Sequence, residues 1–174
     1  VLLGLSIEQS GSDAKALSDQ KLPAWHLAVT ADFQSPTNTV RHKMAADKQI
    51  SSGGPWESVI GYSRATVAGD YVHVSGSTAT VDGVLQHEGD AYGQTKVALE
   101  GVIASALAQV GYTLADVVRS RIYLSNAEDM DAVGKAHGEI FGDIRPAATM
   151  LAGIKFINPK MLVEIEVDAW KRNN

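Results

Sequence analysis

Two carboxylates stand two residues apart in MLVEIEVDAW, at Glu164 and Glu166, and one guanidinium, Arg145, precedes a proline in GDIRPAATMLAGI. Positions two apart on a strand share a face. Carboxyls brought together in this way raise the pKa of one of them, which suits proton transfer or the orientation of a water. The same placement suits an ion pair between subunits equally well. Glu164 therefore reads as a pocket acid or as an interface charge. Arg145 reads first as a subunit salt bridge or a solvated loop charge, and second as a contact to a ligand anion. Ahead of Pro146 its backbone is expected to be extended, at a strand entrance.

Other candidates have plainer readings beside the chemical ones. Ser75 in VSGS has no partner base visible in the sequence, so a hydrolase triad is not expected. Gly76 suits a bend or a close backbone approach, which also suits a pocket wall. Tyr62 reads as a strand aromatic before a ligand stacker. His137 reads as a satisfied core or interface histidine before a catalytic base. The histidines at 26, 42, 73, 87 and 137 show no HxxxH or HxxE spacing, and cysteine is absent, so no metal site is expected. Gly53-Gly54 before Pro55 is a turn, not a phosphate cradle.

The bulk properties narrow the classes. The 174 residues suffice for one well-buried domain and are short for two. Hydrophobic residues make up 45% and charged residues 20%, ordinary for a globular protein. A net charge of −5 argues against broad contact with a phosphate backbone, so a nucleic-acid partner is not favoured. No apolar run approaches the roughly 20 residues that span a bilayer, and VLLGLSI is too short for a signal core. Residues 1–55 mix Ser, Asp, Gln and Pro without a sustained period, apart from a short helix expected at 13–20. They read as an extension, with MAADKQISSGGPWE from Met44 resembling a natural start and 56–174 forming the domain. Asp13, Asp19 and Asp32 weigh against a mitochondrial transit peptide. The expected compartment is the cytoplasm, with the mitochondrion as the alternative.

Stronger periodicity follows Trp56. Gly69-Asp70 and Asp82-Gly83 mark hairpin turns, with Val72 and Val74 on one strand face and Tyr71, His73 and Ser75 on the other. A long helix is expected over 90–110, its buried stripe formed by Leu99, Val102, Ile103, Ala106, Leu107 and Val110, with Gly111 as its stop. DVVRSRIYLS alternates Val118, Ser120, Ile122 and Leu124 against Val117, Arg119, Arg121 and Tyr123. Asn126 is expected to cap a second helix with Met130, Val133, His137, Ile140 and Phe141 inward. Strands near 147–155 and 161–170 close the chain. The order gives an α/β (α+β) fold, a mixed sheet with two helices packed on one face. The other face is half apolar, a pattern that buries itself against a neighbouring subunit.

Four segments now carry a resemblance. GYSRAT–x–AGDYVHVSGSTAT, GDAYGQTKVALEGVIASALAQVGYTLADVVRSRIYLSN, IFGDIRPAAT and MLVEIEVDAW resemble the YjgF-like, or reactive-intermediate deaminase (Rid), family over about residues 58–171. The resemblance implies a chorismate-mutase-like fold and a homotrimer, whose sheets form a central barrel with pockets at the subunit interfaces. It implies hydrolysis of amino-acid-derived imines or enamines to 2-keto acids and ammonia, without a cofactor. It also implies Tyr62, Ser75 and Gly76 as pocket residues and Glu164 as the group positioning the attacking water. The family's carboxylate-binding arginine follows Pro-Ala; here Pro146-Ala147 is followed by Ala148, and Gly134 stands where the family has a pocket asparagine. Loss of such a buried partner costs about 2–5 kcal/mol. The expected function is thus a small-molecule pocket protein acting on a reactive imine, enamine or related metabolite, without ordinary 2-imino-acid deaminase activity. A non-catalytic ligand-binding or regulatory trimer is the alternative. An endoribonuclease is weaker, given the acidic balance and the lack of a histidine pair.

Overall fold

The computed structural model describes residues 46–171. The expected helix at 13–20 and the proposed start at Met44 lie outside the described residues. The elements run β1 (Lys48–Ile50), α1 (Pro55–Ile60), β2 (Ala65–Ala68), β3 (Tyr71–Ser77), β4 (Thr80–Val81), β5 (Val84–Leu85) and α2 (Ala91–Lys96). A π-helical stretch (Val97–Ile103) then leads into α3 (Ala104–Ala108), followed by β6 (Val117–Leu124), α4 (Met130–Phe141), β7 (Ala147–Ala152) and β8 (Val163–Trp170). The main sheet has the order β1-β2-β3-β8-β6-β7, antiparallel except for the parallel pair β6–β7. β1 pairs with β2, so the sheet begins at Lys48, inside the stretch read as an extension.

Turn chemistry explains the hairpins. Gly69 (φ 58°) opens the two-residue turn that sets Ala68 opposite Tyr71, and Asp82 (φ 50°) with Gly83 (φ 78°) makes the turn between β4 and β5. Positive φ matches the right-handed strand twist there. β8 alternates as expected: Val163, Ile165, Val167 and Ala169 are buried against the helices. They meet Leu99, Ile103 and Leu107 of the long helix and Val133 and Phe141 of α4. Both helices lie on this one face, as the sequence predicts. The helix over 91–108 is not α throughout, and Val102 is only half-buried. Its end is as expected: Gly111 (φ 75°) turns the chain so that the Tyr112 N–H donates to the Leu107 carbonyl at 3.0 Å.

Three expectations fail for local reasons. Val117 is buried and Val118 exposed, the reverse of the expected alternation, because the β6–β8 register slips between Val117 and Arg119. One extra residue in a bulge exchanges the faces. Met130 is 55% exposed rather than inward. A 3₁₀ turn over Ala127–Asp129 intervenes between Asn126 and α4, and Asn126 donates to the Ser125 hydroxyl instead of capping the helix.

The GQT segment is a clamp. A Cβ on Gly93 would crowd the Asp90 carboxylate and the His87 ring, so a larger residue there must displace the carboxylate that caps the Gly93 N–H at 3.0 Å. Gln94 is fully buried; its amide donates to the carbonyls of His87 (3.1 Å) and Lys160 (2.9 Å) and accepts from the Leu162 N–H at 2.8 Å. This fixes the segment entering β8, and hence the depth at which Glu164 is delivered. Gln94→Leu leaves three backbone groups unpaired and is expected to cost about 2–4 kcal/mol in urea unfolding at fixed protein concentration. A loss below about 0.5 kcal/mol would show that the entry to β8 is held otherwise.

Candidate functional site

The sheet face opposite the helices carries Tyr71, His73 and Ser75 on β3, Glu164, Glu166 and Asp168 on β8, and Arg119, Arg121 and Tyr123 on β6. It is more ionic than the alternation suggests. Arg121 donates to Glu166 at 3.0 Å and to Asp168 at 3.3 Å, and His73 Nδ1 lies 2.8 Å from Asp168. The Tyr123 hydroxyl donates to Glu166 at 3.4 Å; burial and the Glu166 charge push its pKa above the ordinary tyrosine value. The two carboxylates of EIE thus separate. Glu166 belongs to an ion-pair ladder. Glu164 is 7% exposed, forms no ion pair and makes no hydrogen bond among the described residues. Burial raises its pKa above the ordinary carboxylate value; the Arg64 charge opposes the shift and Glu166 reinforces it.

A bulge builds the wall beside Glu164. Between Val74 and Ser77 the β3–β8 register slips by one residue, so Ser75 and Gly76 leave the regular ladder. Their carbonyls accept from Arg64 Nη1 at 3.1 and 2.7 Å, and the Ser77 hydroxyl accepts from the same nitrogen at 3.0 Å. Ser75 Oγ donates to the Ser63 carbonyl at 2.7 Å, a loop-fixing bond and not a nucleophile–base contact. Tyr62 joins the group from the loop after α1, not from a strand. Gly61 at φ 82° closes α1 and sends Tyr62 out of the helical path, and its hydroxyl accepts from Arg64 Nη2 at 3.5 Å. Behind it, the Glu57 carboxylate accepts from the Ser51 hydroxyl and from the Ser52 N–H (2.9 Å) and hydroxyl (2.6 Å). Burial raises the Glu57 pKa, but those bonds and the Arg64 charge outweigh it and hold the group below its ordinary value.

Tyr62, Ser75 and Gly76 therefore meet at Arg64, whose charge Glu164 also feels. Arg64 belongs to no motif that marks it in the sequence, yet the turn at Gly69-Asp70 fixes it opposite Ser75: the Ser75 N–H donates to the Arg64 carbonyl at 2.9 Å. Two expected site residues lie elsewhere. Arg145 is not extended; its φ is +53°, its N–H donates to the Phe141 carbonyl at 2.8 Å, and its Nε donates to the Gly142 carbonyl at 3.2 Å. It ends α4 by turning left-handed, with its charge at the helix C-terminus. It forms no salt bridge within the described residues. His137 sits on the helix side of the sheet, with Nε2 2.9 Å from Ser120 Oγ and its ring 4.7 Å from that of Phe141. Burial lowers its pKa, favouring the neutral ring. Ala148 pairs in register with Ser120 and so faces the helix side, away from Glu164.

Among the described residues, no group of three or more His, Asp or Glu side chains is placed to hold a metal ion, and no helix is long and apolar enough to cross a membrane. A small apolar groove of about 90 Å³, lined by Leu124, Ala127, Met130, Met150, Leu151 and Ala152, has no titratable group and lies apart from the Glu164 cluster.

A mixed sheet with both helices packed on one face is the fold of YjgF-family structures. The Endoribonuclease L-PSP family profile matches residues 55–171, and the chain belongs to this family, the YjgF/Rid family. An uncharacterised protein of Streptomyces coelicolor is 44% identical over 126 residues, which cover 72% of this chain and 93% of that protein. A RutC family protein of Pyrococcus horikoshii is 30% identical, over 63% of this chain and 86% of its own length. Among solved structures, Rv2704 of Mycobacterium tuberculosis, a member of the YjgF/YER057c/UK114 family, superposes with a TM-score of 0.64 at 44% identity, covering 71% of this chain and 98% of its own.

Proposed function

We propose that this chain is a small-molecule pocket protein that hydrolyses or sequesters a reactive imine, enamine or related carbonyl metabolite, without ordinary 2-imino-acid deaminase activity. The observation that carries the reading is Glu164: a buried carboxyl without a partner among the described residues, its pKa raised, and within the field of Arg64, which holds the Ser75-Gly76 bulge and contacts Tyr62. In the proposed step a neutral Glu164 gives its proton to the imine nitrogen. As carboxylate it then takes a proton from the water that adds to the carbon. C–O forms; the reprotonated Glu164 then gives a proton to the amino group of the carbinolamine and takes the hydroxyl proton as C–N breaks, so the products are a carbonyl compound and ammonia. The step needs no cofactor.

The pocket is proposed to be shared between copies in a homotrimer. Ala148, Gly134 and His137 are on the helix side of the sheet or on α4, whereas Glu164 is on the opposite face. Within one chain those groups do not meet; a neighbouring copy must bring its β7 edge to the Glu164 cluster for them to do so. Sedimentation giving three times the chain mass is the expected result, and a lone chain would sink the shared pocket. The proposed compartment is the cytoplasm, with the mitochondrion as the alternative.

Tyr62→Ala is expected to weaken ligand binding about tenfold or more, by removing a ring and a hydroxyl from the wall. Hydrolysis of freshly generated imines and enamines, followed by ammonia release, tests the enzymatic reading. Saturable binding without turnover, lost in Tyr62→Ala, would favour the non-catalytic trimer. RNA cleavage is the least supported: the described histidines His73, His87 and His137 lie beside Asp168, Asp90 and Ser120 on separate elements.

A further inference from the structure

We propose that Arg64 is the anion anchor of the Tyr62–Glu164 cluster, taking a carboxylate on the small-molecule ligand through its Nε–Nη2 edge. The inference rests on the pocket reading above and deepens it by naming the ligand's charge and the group that docks it.

The two ends of the guanidinium do different work. Nη1 faces three acceptors, the carbonyls of Ser75 and Gly76 and the Ser77 hydroxyl, all within 3.1 Å. That grip orients the plane of the group. Nη2 has one long contact, 3.5 Å to the Tyr62 hydroxyl, and no described residue accepts from Nε. A guanidinium carries five donors, and its Nε–Nη2 edge is a fork matched to both oxygens of a carboxylate. A fork already held in plane loses little rotamer freedom on binding. The Tyr62 ring flanks the group, 5.8 Å from the guanidinium carbon.

The nearby charges leave that edge for a ligand. Glu57 and Glu164 both feel the Arg64 charge, yet neither forms a salt bridge with it. The Glu57 oxygens are held by Ser51 and Ser52. Burial disfavours the charged form of Glu164. Within one chain Arg64 lies apart from position 148, since β8 and β6 separate β3 from β7. It places an anionic group on the Tyr62 wall, in the same chain as Glu164.

The test is calorimetric titration of the full-length protein with pyruvate and with methyl pyruvate, which keeps the ketone and removes the charge. Wild type is expected to bind pyruvate about tenfold tighter than the ester. Arg64→Gln is expected to erase that preference, the two probes then binding within about twofold of each other. Arg64→Lys keeps the charge and a donor for the bulge carbonyls but lacks the fork, and is expected to lose at least about half of the preference. It decides the matter if the glutamine variant does not fold. An undiminished preference in the folded variants overturns the anchor and leaves the pocket reading standing. No saturable binding of pyruvate overturns the anchor; no saturable binding of either probe removes the support for the pocket as well.

Discussion

Ala148→Arg is expected to raise hydrolysis of freshly generated 2-iminopropanoate by about 30-fold to several thousand-fold. The range follows from the about 2–5 kcal/mol that a buried carboxylate partner contributes, at about 1.36 kcal/mol per decade of rate. The register of β6 and β7 gives the gain a further condition. Residue 148 pairs with Ser120 and points to the helix side, so the new guanidinium reaches a Glu164 cluster only across an interface between copies. Mixing the Ala148→Arg/Glu164→Gln double variant, which lacks its own acid, with wild type should therefore give mixed assemblies more active than either protein alone. Wild-type turnover at the rate of arginine-bearing relatives would end the idea that Ala148 is a deficit. An Ala148→Arg protein that stays inactive, while assembled and folded, would show that the rest of the pocket is not competent.

Glu164→Gln should move activity and stability in opposite directions. As the proposed acid and base, Glu164 contributes about 10²–10⁴ to the rate, so kcat for an accepted imine should fall by about that factor. Stability should rise at neutral pH. The folded carboxyl ionises at higher pH than in the unfolded chain because burial disfavours its charge. Below the ordinary glutamate pKa both states are protonated, and the variant and wild type differ least. As pH rises, the unfolded chain loses the proton first, so the folded wild type is progressively disfavoured until it too ionises. The melting temperatures should part across that window and run parallel above it, with the glutamine variant higher. A variant that melts lower than wild type at pH 8 would mean that the carboxylate is paired in solution.

The sequence patterns that proved reliable rest on backbone geometry fixed by a few residues. Gly69-Asp70, Asp82-Gly83 and Gly111 announce their turns because few residues tolerate positive φ. The alternation in β8 is readable because Val163, Ile165, Val167 and Ala169 must share a buried face. What escaped lies where a local slip changes the phase. Val117 and Val118 are both β-branched, so periodicity alone cannot assign the bulge that buries one and exposes the other. Arg145 looked extended because a proline follows, but ending α4 demanded a left-handed residue at that point. Of the candidate residues, Tyr62, Ser75 and Gly76 meet at Arg64 and Glu164 lies on the same sheet face, while His137 and Arg145 belong to the other side of the sheet and to the end of α4. Arg64 was hidden by being one charge in a loop. Counting back from the hairpin turn would have set it against Ser75, and the bulge beside Ser75 is what turns two carbonyls towards it.

The terminal strand of the sheet, β7, carries AATMLA with neither charge nor proline along its length, and most of it is exposed. A lone copy would therefore offer a bare ribbon of peptide groups to any extended segment it met. In the proposed trimer, partnership is then a safeguard as much as a means of completing a cavity. Variants that weaken self-association should precipitate before they merely dissociate.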